Sequence, residues 1–468
     1  VTQKPDPSIS FIALSEVIVQ KRIDSEYFQP EFLEVATRLR SADHKRLEDL
    51  STIVTSAFYP AAADLYEYGD IPFIRGVDVI NYPVITNDQP FERIPLSFIR
   101  ESKGIQELHT GDIVITKVGT PCYAGILHED LKHCALSRTV LGVKDIDTEV
   151  VDPYYLVVFL RCKYGFFQLM REREQQIQLQ LTLDRVGRIN VFLPEKAVQV
   201  EIGNILRKYH QQIVLSQDLY RQAEQLLLDE LGLSDLELPA GLHNDAPISK
   251  AWEAHRIDAE YYQPRYEYLD QVIQSASATV TPLGSLIHPI INGFDWRDFA
   301  EDGTPYIRVG DVYKDRIDLD NAFRVAISPE EVGKPVGLQV GDILFTRKGT
   351  FGQAAVVDER ASSTLISSEI MRLRLLDPSA VHPQYLSLYL NSVLGYTQVE
   401  QRVHGAGFYS ISQEDLGQIL ICVPGWETQE KIADEAAKSH TARHQAKALL
   451  EQARRKVEAM IESEVAHG

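Results

Sequence analysis

A chain whose second half restates its first is constrained to fold as two related bodies, and this sequence of 468 residues does so. Arg22-Ile23-Asp24-Ser25-Glu26-Tyr27-Phe28-Gln29-Pro30 returns as Arg256-Ile257-Asp258-Ala259-Glu260-Tyr261-Tyr262-Gln263-Pro264, an offset of 234 with seven of nine positions identical. Pro72-Phe73-Ile74-Arg75 returns as Pro305-Tyr306-Ile307-Arg308. Gly111-Asp112-Ile113-Val114-Ile115-Thr116-Lys117-Val118-Gly119-Thr120 returns as Gly341-Asp342-Ile343-Leu344-Phe345-Thr346-Arg347-Lys348-Gly349-Thr350, with six of ten identical. Composition alone would give about one match in fifteen. From Gly111 onward the register holds at 230, pairing Tyr155 with Tyr385, Pro194 with Pro424, Gln199 with Gln429 and Ile202 with Ile432. Length differences therefore fall before Gly111, and the largest is expected to be three residues, between Arg75 and Gly111. The copies share a frame and differ in their loops.

Each copy opens on the R-I-D-x-E-Y segment and continues into a strand-rich body with runs such as Ile113–Thr116 and Ile343–Thr346, each stopped by Gly-Thr. A long proline-free helix follows. In the first copy Ile202, Leu206, Tyr209, Ile213, Ser216, Tyr220, Ala223 and Leu227 recur at heptad spacing. In the second the same positions are Ile432, Ala436, Ser439, Arg443, Ala446, Leu450, Ala453 and Val457, with a polar interruption at Ser439 and Arg443. A helix of about 33 residues is about 50 Å long, more than one body can cover, so the two seams are expected to pair with each other. The expected fold is α+β: two similar mixed α/β bodies, separated and joined by two long antiparallel coiled-coil helices, with an internal pseudo-two-fold duplication. The expected boundaries are 1–195 for the first body (opening segment 1–45), 196–232 for its helix, and 233–249 for a linker carrying two prolines. The second body is expected at 250–425 (opening segment 250–280), and its helix at 426–468.

Composition narrows the function. Apolar residues at 44% and charged residues at 24% are ordinary for a globular chain. No apolar run is long enough to span a membrane and the first ten residues lack a secretory signal, so no membrane association and a cytoplasmic location are expected. Cys122, Cys134, Cys162 and Cys422 form no C-x-x-C pair and read as buried thiols. A net charge of −20 opposes any bulk attraction to nucleic acid, so a nucleic-acid surface has to be local. The sequence contains no G-x-x-x-x-G-K-[ST] loop, G-x-S-x-G elbow or H-E-x-x-H pair. It also lacks the N/D/S-P-P-Y/F loop that a base-amino methyltransferase needs. Glu101-Ser102-Lys103 has the E-x-K spacing of some nucleases, but the second copy does not preserve it. His404, His440 and His444 read as surface or helix residues. The chain is expected to have no catalytic residue, no metal site and no cofactor of its own.

Two similar bodies on a rigid two-helix spacer suit two half-sites on a periodic polymer such as DNA. Cations recur beside glycines at strand ends: Arg75 and Arg308, then Lys117 against Arg347 and Lys348, with Arg138 a further candidate. Such side chains reach a phosphate or the major-groove edge of guanine. The divergent loops carrying Phe58 and Tyr59 in the first copy, and Trp296 and Arg297 in the second, are where base reading is expected.

The junction before the second helix carries Gly407, Ile411-Ser412-Gln413-Glu414-Asp415-Leu416, Pro424 and Gln429-Glu430-Lys431-Ile432-Ala433. The first copy has a weaker version, Leu181-Thr182-Leu183-Asp184-Arg185-Val186, Pro194 and Gln199-Val200-Glu201-Ile202-Gly203. With the G-D-I-x-x-T-K/R-x-G-T strand, this pattern resembles the specificity subunits of type I restriction-modification systems. The resemblance covers nearly the whole chain. It implies a non-catalytic subunit whose two target-recognition domains read a bipartite sequence in double-stranded DNA. It further implies two methyltransferase (modification) subunits and restriction/translocase subunits as partners, with S-adenosylmethionine, ATP and Mg belonging to them. The R-I-D-x-E-Y segments would help dock the methyltransferase. Two alternatives stay open: the recognition subunit of a related fused endonuclease-methyltransferase, and a duplicated binding scaffold with no DNA role.

Overall fold

The computed structural model describes residues 11–20, 22–57, 69–102, 104–119, 122–174, 180–241, 245–300, 302–320, 322–332, 336–405 and 409–467. Phe58, Tyr59 and Gly407 lie outside them. The chain forms two compact units, Val1–Gln212 with His444–Gly468, and Ile213–Arg443. Each unit therefore holds one body together with part of the helix Lys196–Glu230 and part of the helix Trp426–His467.

The first body is built on a five-stranded sheet in which Ile113–Thr116 lies between Val140–Lys144 and Ala124–Leu127, both antiparallel to it. A four-stranded sheet centred on Ile71–Ile74 and the parallel His133–Leu136 packs beside it. The second body repeats the plan: Ile343–Thr346 lies between Ile370–Leu373 and Ala354–Val356, and Thr304–Ile307 runs parallel to Leu365–Ile366. All four residues of Ile113–Thr116 and of Ile343–Thr346 are buried, as expected of strands at the centre of a sheet with both faces covered. The edge strands sharpen the alignment. Val54 pairs with Gly142, while Ile291 pairs with Arg372, the residue equivalent to Gly142. The stretch from that strand to Ile74 is thus four residues longer than its counterpart ending at Ile307. This exceeds the three-residue difference expected after Arg75, and it went unseen because the edge strands share no residues that would fix their register.

The repeated Gly-Asp motif has a backbone explanation in both copies. Gly111, Gly119, Gly341 and Gly349 all adopt positive φ, between 77° and 91°. The Asp112 carboxylate accepts the His109 N–H (2.8 Å), and that of Asp342 accepts the Gln339 N–H (2.7 Å). The motif closes the turn entering each central strand.

The repeated glutamine joins each body to its long helix. Gln199 and Gln429 are 2% and 1% exposed. Gln199 Oε1 accepts the Asp152 N–H (3.0 Å) while its amide donates to the carbonyls of Pro194 (2.8 Å) and Val150 (3.2 Å). Gln429 does the same with the His382 N–H (2.9 Å), Pro424 (2.9 Å) and Ala380 (3.1 Å).

Within each unit the two long helices run antiparallel. In the first, Ile202 and Leu206 share a core with Ala453, Val457 and Ile461, with Tyr209 and Leu450 packed at its edge, and Lys456 pairs with Glu201 (2.5 Å). In the second, Ala223 and Leu227 share a core with Ile432 and Ala436, Tyr220 packs at its edge, and Lys431 pairs with Glu230 (2.5 Å). Ile213 is half-buried. These cores also contain body residues, so helix pairing and helix-to-body packing are one apolar cluster in each unit. The polar interruption has partners of its own. Ser439 donates to the Ser216 carbonyl (2.7 Å), and Arg443 pairs with the buried Asp315 (3.2 Å). Burial alone would raise the Asp315 carboxyl, but Arg443, Arg316 and His440 together hold it below the usual carboxylate range.

All four cysteines are buried free thiols, and burial pushes Cys122 and Cys162 up to about 12. Among the described residues no helix is long and apolar enough to cross a membrane, and no group of three histidine, cysteine or acidic side chains is placed to hold a metal.

Candidate nucleic-acid interface

Three backbone hydrogen bonds, repeated in both bodies, gather the predicted residues at one end of the sheets. Ser137 N–H donates to the Ile74 carbonyl (3.0 Å), and Ser367 N–H to that of Ile307 (2.9 Å). Lys117 N–H donates to Thr139, and Arg347 N–H to Glu369, both at 2.9 Å. Leu181 N–H donates to the Lys117 carbonyl (3.1 Å), and Ile411 N–H to that of Arg347 (3.0 Å). Arg75, Lys117 and Arg138 therefore sit on loops tied together in the first body, and Arg308, Arg347 and Lys348 on the equivalent loops of the second. Trp296 and Arg297 join the second cluster because Ser368 Oγ–H donates to the Asp295 carboxylate (2.5 Å).

These cations are not equally available. Arg75 is held by Asp78, which accepts its backbone N–H (2.7 Å) and lies 3.4 Å from its Nε, and by Glu92 (3.3 Å). Arg308 repeats the arrangement with Asp311 (2.8 and 3.4 Å) and lies over the Phe323 ring at 3.6 Å. Burial pushes the Asp78 and Asp311 carboxyls up, and the arginines draw them back. Each pair braces a turn. The repeated spacing of arginine and aspartate three apart was the sequence signal for this role.

The other cations differ in their exposure. Lys117 donates to Thr55 Oγ1 (3.4 Å), and burial, followed by the charge of Arg138, pulls its ammonium below the usual lysine range. Arg138, Arg297 and Lys348 are exposed. Arg347 is half-buried, and its Nε–H has no hydrogen-bond partner among the described residues. Beside it lies an aromatic group that the sequence reading missed: Phe351 stacks on Tyr396 (6.0 Å, 2° between planes) and meets the edge of Tyr409, which is 52% exposed. The dipeptides Phe351-Gly352 and Phe408-Tyr409, set in glycine-rich loops, were its signal.

In the second body Phe294, Asp295, Trp296, Glu331 and Ser368 line a cleft of about 550 Å³. Trp296 is fixed there by donating to the Asp298 carbonyl (2.8 Å) and by its contact with Phe294 (6.2 Å between rings). An aromatic wall with carboxylates at its rim can stack a planar base and accept from an exocyclic amino group.

Fold and site together define a duplicated protein with a cationic loop cluster on each body, joined in the second by aromatic side chains. Residues 42–225 and 290–435, more than half of the chain, match the family described as "Type I restriction modification DNA specificity domain". The chain belongs to that family, whose function is recognition of DNA targets. Among solved structures it is similar to the type I restriction-modification S subunit from M. genitalium, at 12% identity over 90% of this chain and 94% of that one, with a TM-score of 0.37. It is also similar to the HsdS subunit from Thermoanaerobacter tengcongensis, at 13% identity over 91% and 96%, with a TM-score of 0.28. No curated protein gives a significant match.

Proposed function

We propose that the chain is a non-catalytic specificity subunit in which each body reads one half of a bipartite sequence in double-stranded DNA. It positions two methyltransferase subunits at that target, and restriction/translocase subunits join them for cleavage. S-adenosylmethionine, ATP and Mg are bound by those partners. The observation that carries this reading is the twice-built loop cluster: the same three backbone hydrogen bonds hold a different set of side chains in each body. That is what two independent readers on one frame require. The acidic balance of the chain fits a division of labour in which partner subunits supply much of the phosphate contact.

The test is to replace residues 46–195 with the corresponding body of another family member and sequence the bases methylated by the reconstituted complex. One half of the recognised sequence should change and the other should stay. A change in both halves together would overturn independent reading. Methyl transfer by the purified chain alone would overturn its non-catalytic role. Lys117→Ala and Arg347→Ala sort the contacts. Loss of a phosphate contact weakens binding evenly and flattens its salt dependence, whereas loss of a base contact relaxes one position by about 1–3 kcal/mol.

A further inference from the structure

The cleft beside Trp296 offers hydrogen-bond acceptors and no unengaged side-chain donor. Among its described lining residues two side chains carry an N–H or O–H, and both are used within the protein: Trp296 Nε1–H donates to the Asp298 carbonyl (2.8 Å), and Ser368 Oγ–H to the Asp295 carboxylate (2.5 Å). What remains is carboxylate. Asp295 is exposed and oriented by Ser368, and Glu331 is exposed and fixed by accepting the Ser328 N–H (2.8 Å). A carboxylate has about four lone-pair sites, so the bond that orients each leaves acceptor capacity over. The rest of the lining is apolar. Phe294 and Trp296 lie ring to ring, and Ile327 and Val332 pack with them. Gly293 lets this strand come close, since a Cβ there would lie 2.0 Å from the Ile366 carbonyl oxygen, which accepts the Phe294 N–H (3.1 Å).

The cleft belongs to the loop cluster of the second body. Gln413 Nε2–H donates to Asn292 Oδ1 (2.9 Å), tying it to the turn after Ile411, and Arg297 beside it is exposed. Negative charge next to a polyanion weakens binding at any sequence unless a donor meets it, so carboxylates placed here act by discrimination. In the major groove cytosine alone presents an amino donor without an acceptor beside it, its neighbour being the apolar C5–H edge. Adenine sets its amino group next to the N7 acceptor, guanine offers two acceptors, and thymine offers a methyl group beside the O4 acceptor. Carboxylate repels each of those acceptors. The matching stretch of the first copy, Ser56-Ala57-Phe58-Tyr59, has no acidic residue, and Ser56 Oγ is engaged by the Gln106 N–H (2.9 Å).

We propose that the cleft is a cytosine reader: Asp295 and Glu331 accept the N4 amino hydrogen of one cytosine in the half-site of the second body, with the Trp296 wall against its C5–H edge. This rests on the DNA-reading function above and names the base that one of its two sites selects.

The test uses the full chain assembled with the methyltransferase subunit of its own system. Sequencing the methylated bases gives the target, and the half that survives exchange of residues 46–195 belongs to the second body. That half should contain a C·G pair at which the Asp295→Asn, Glu331→Gln double variant loses its preference and admits adenine, whose amino and N7 groups an amide side chain matches. Discrimination there should fall on the order of tenfold or more, while the first half stays unchanged. Thermal melting checks that the variant is folded. A second measurement needs no variant: in duplex DNA the methyl group of N4-methylcytosine replaces the hydrogen that faces the major groove, so wild-type affinity should fall about tenfold with that base at the same position. A second half without a C·G pair, a folded double variant that keeps every cytosine at full discrimination, or unchanged affinity for N4-methylcytosine at every cytosine of that half would each overturn the proposal and leave the bipartite reading standing. If the wild-type complex has no bipartite target, both fall.

Discussion

In the first body Cys122 holds φ at 83°, where the second has Gly352 at 82°. At the next matched position of this kind Arg161 faces Asn391. Arg161 donates to the carbonyls of Ala124 and Val79 (2.7 Å to the latter), while Asn391 exchanges two hydrogen bonds with Ala354, the residue equivalent to Ala124 (2.8 and 2.9 Å). A third contrast lies at the central turn: the buried Asp342 carboxylate is gripped by Arg374 (2.7 Å), whereas the first body has Lys144 near Asp112. The two bodies meet the same backbone requirements with different side chains. What was duplicated is a hydrogen-bonded frame, and each copy has since found its own way to satisfy it.

The contrast can be broken where it is widest. Arg374→Gln strips a buried carboxylate of its partner and should destabilise the second unit by about 4 kcal/mol in urea unfolding. Lys144→Gln at the equivalent place should cost under about 0.5 kcal/mol. Equal losses would mean the two turns are held alike. The glutamine joints should behave identically instead. Gln199→Leu and Gln429→Leu each remove the acceptor of a buried N–H and the donor to two carbonyls, so each should cost about 3 kcal/mol in its own unit. A cost in one unit only would show that the joint is not a shared element.

Gly352→Ala places a Cβ at 2.9 Å from the Tyr396 ring at positive φ, and should cost about 2 kcal/mol. Gly349→Ala, with open space around it, should cost about 1 kcal/mol from the backbone alone. The smallest effect is in pH dependence. Burial raises the Asp112 carboxyl above its ordinary 3.8, so the folded state holds that proton more tightly than the unfolded one. Stability of the first unit therefore falls as pH rises from about 3.8 through the folded value, and is regained below it. Asp112→Asn should remove that slope, with a gain of about a few tenths of a kcal/mol at neutral pH because the carboxyl is partly screened by solvent. A gain that does not shrink as pH falls through the folded value toward 3.8 would point to another group.

Much of the frame was legible because it was written twice. The central strands, the long helices and Gln199 with Gln429 are matched residues doing matched work. The edge strands were not legible, since Thr52–Val54 and Ile291–Asn292 pair through backbone and share no side chains. The loop cations divided in two. Arg75 and Arg308 were visible as a repeat, yet the repeat reflects a turn braced by Asp78 and Asp311. Arg297 and Lys348, exposed and without that bracing, have no matching cation in the first copy. Trp296 was recognised as an aromatic in a loop, but its cleft with Asp295 and Glu331 needs strands far apart in sequence to come together. Repetition marks what the fold needs, and divergence marks where the two copies differ in what they meet.

The glutamine joint has a consequence for how such a chain can change. Every group that Gln199 and Gln429 hydrogen-bond is main chain: an amide proton, which any amino acid but proline supplies, and two carbonyl oxygens, which every amino acid supplies. The seat is blind to the residues mounted on it. A crossover that exchanged the whole stretch between the opening segment and this glutamine would bring in new loops without disturbing the attachment, whereas point changes inside a body must keep each turn and buried pair satisfied. Wholesale exchange is therefore the lower-barrier route by which one half could acquire new loops while the other keeps its own.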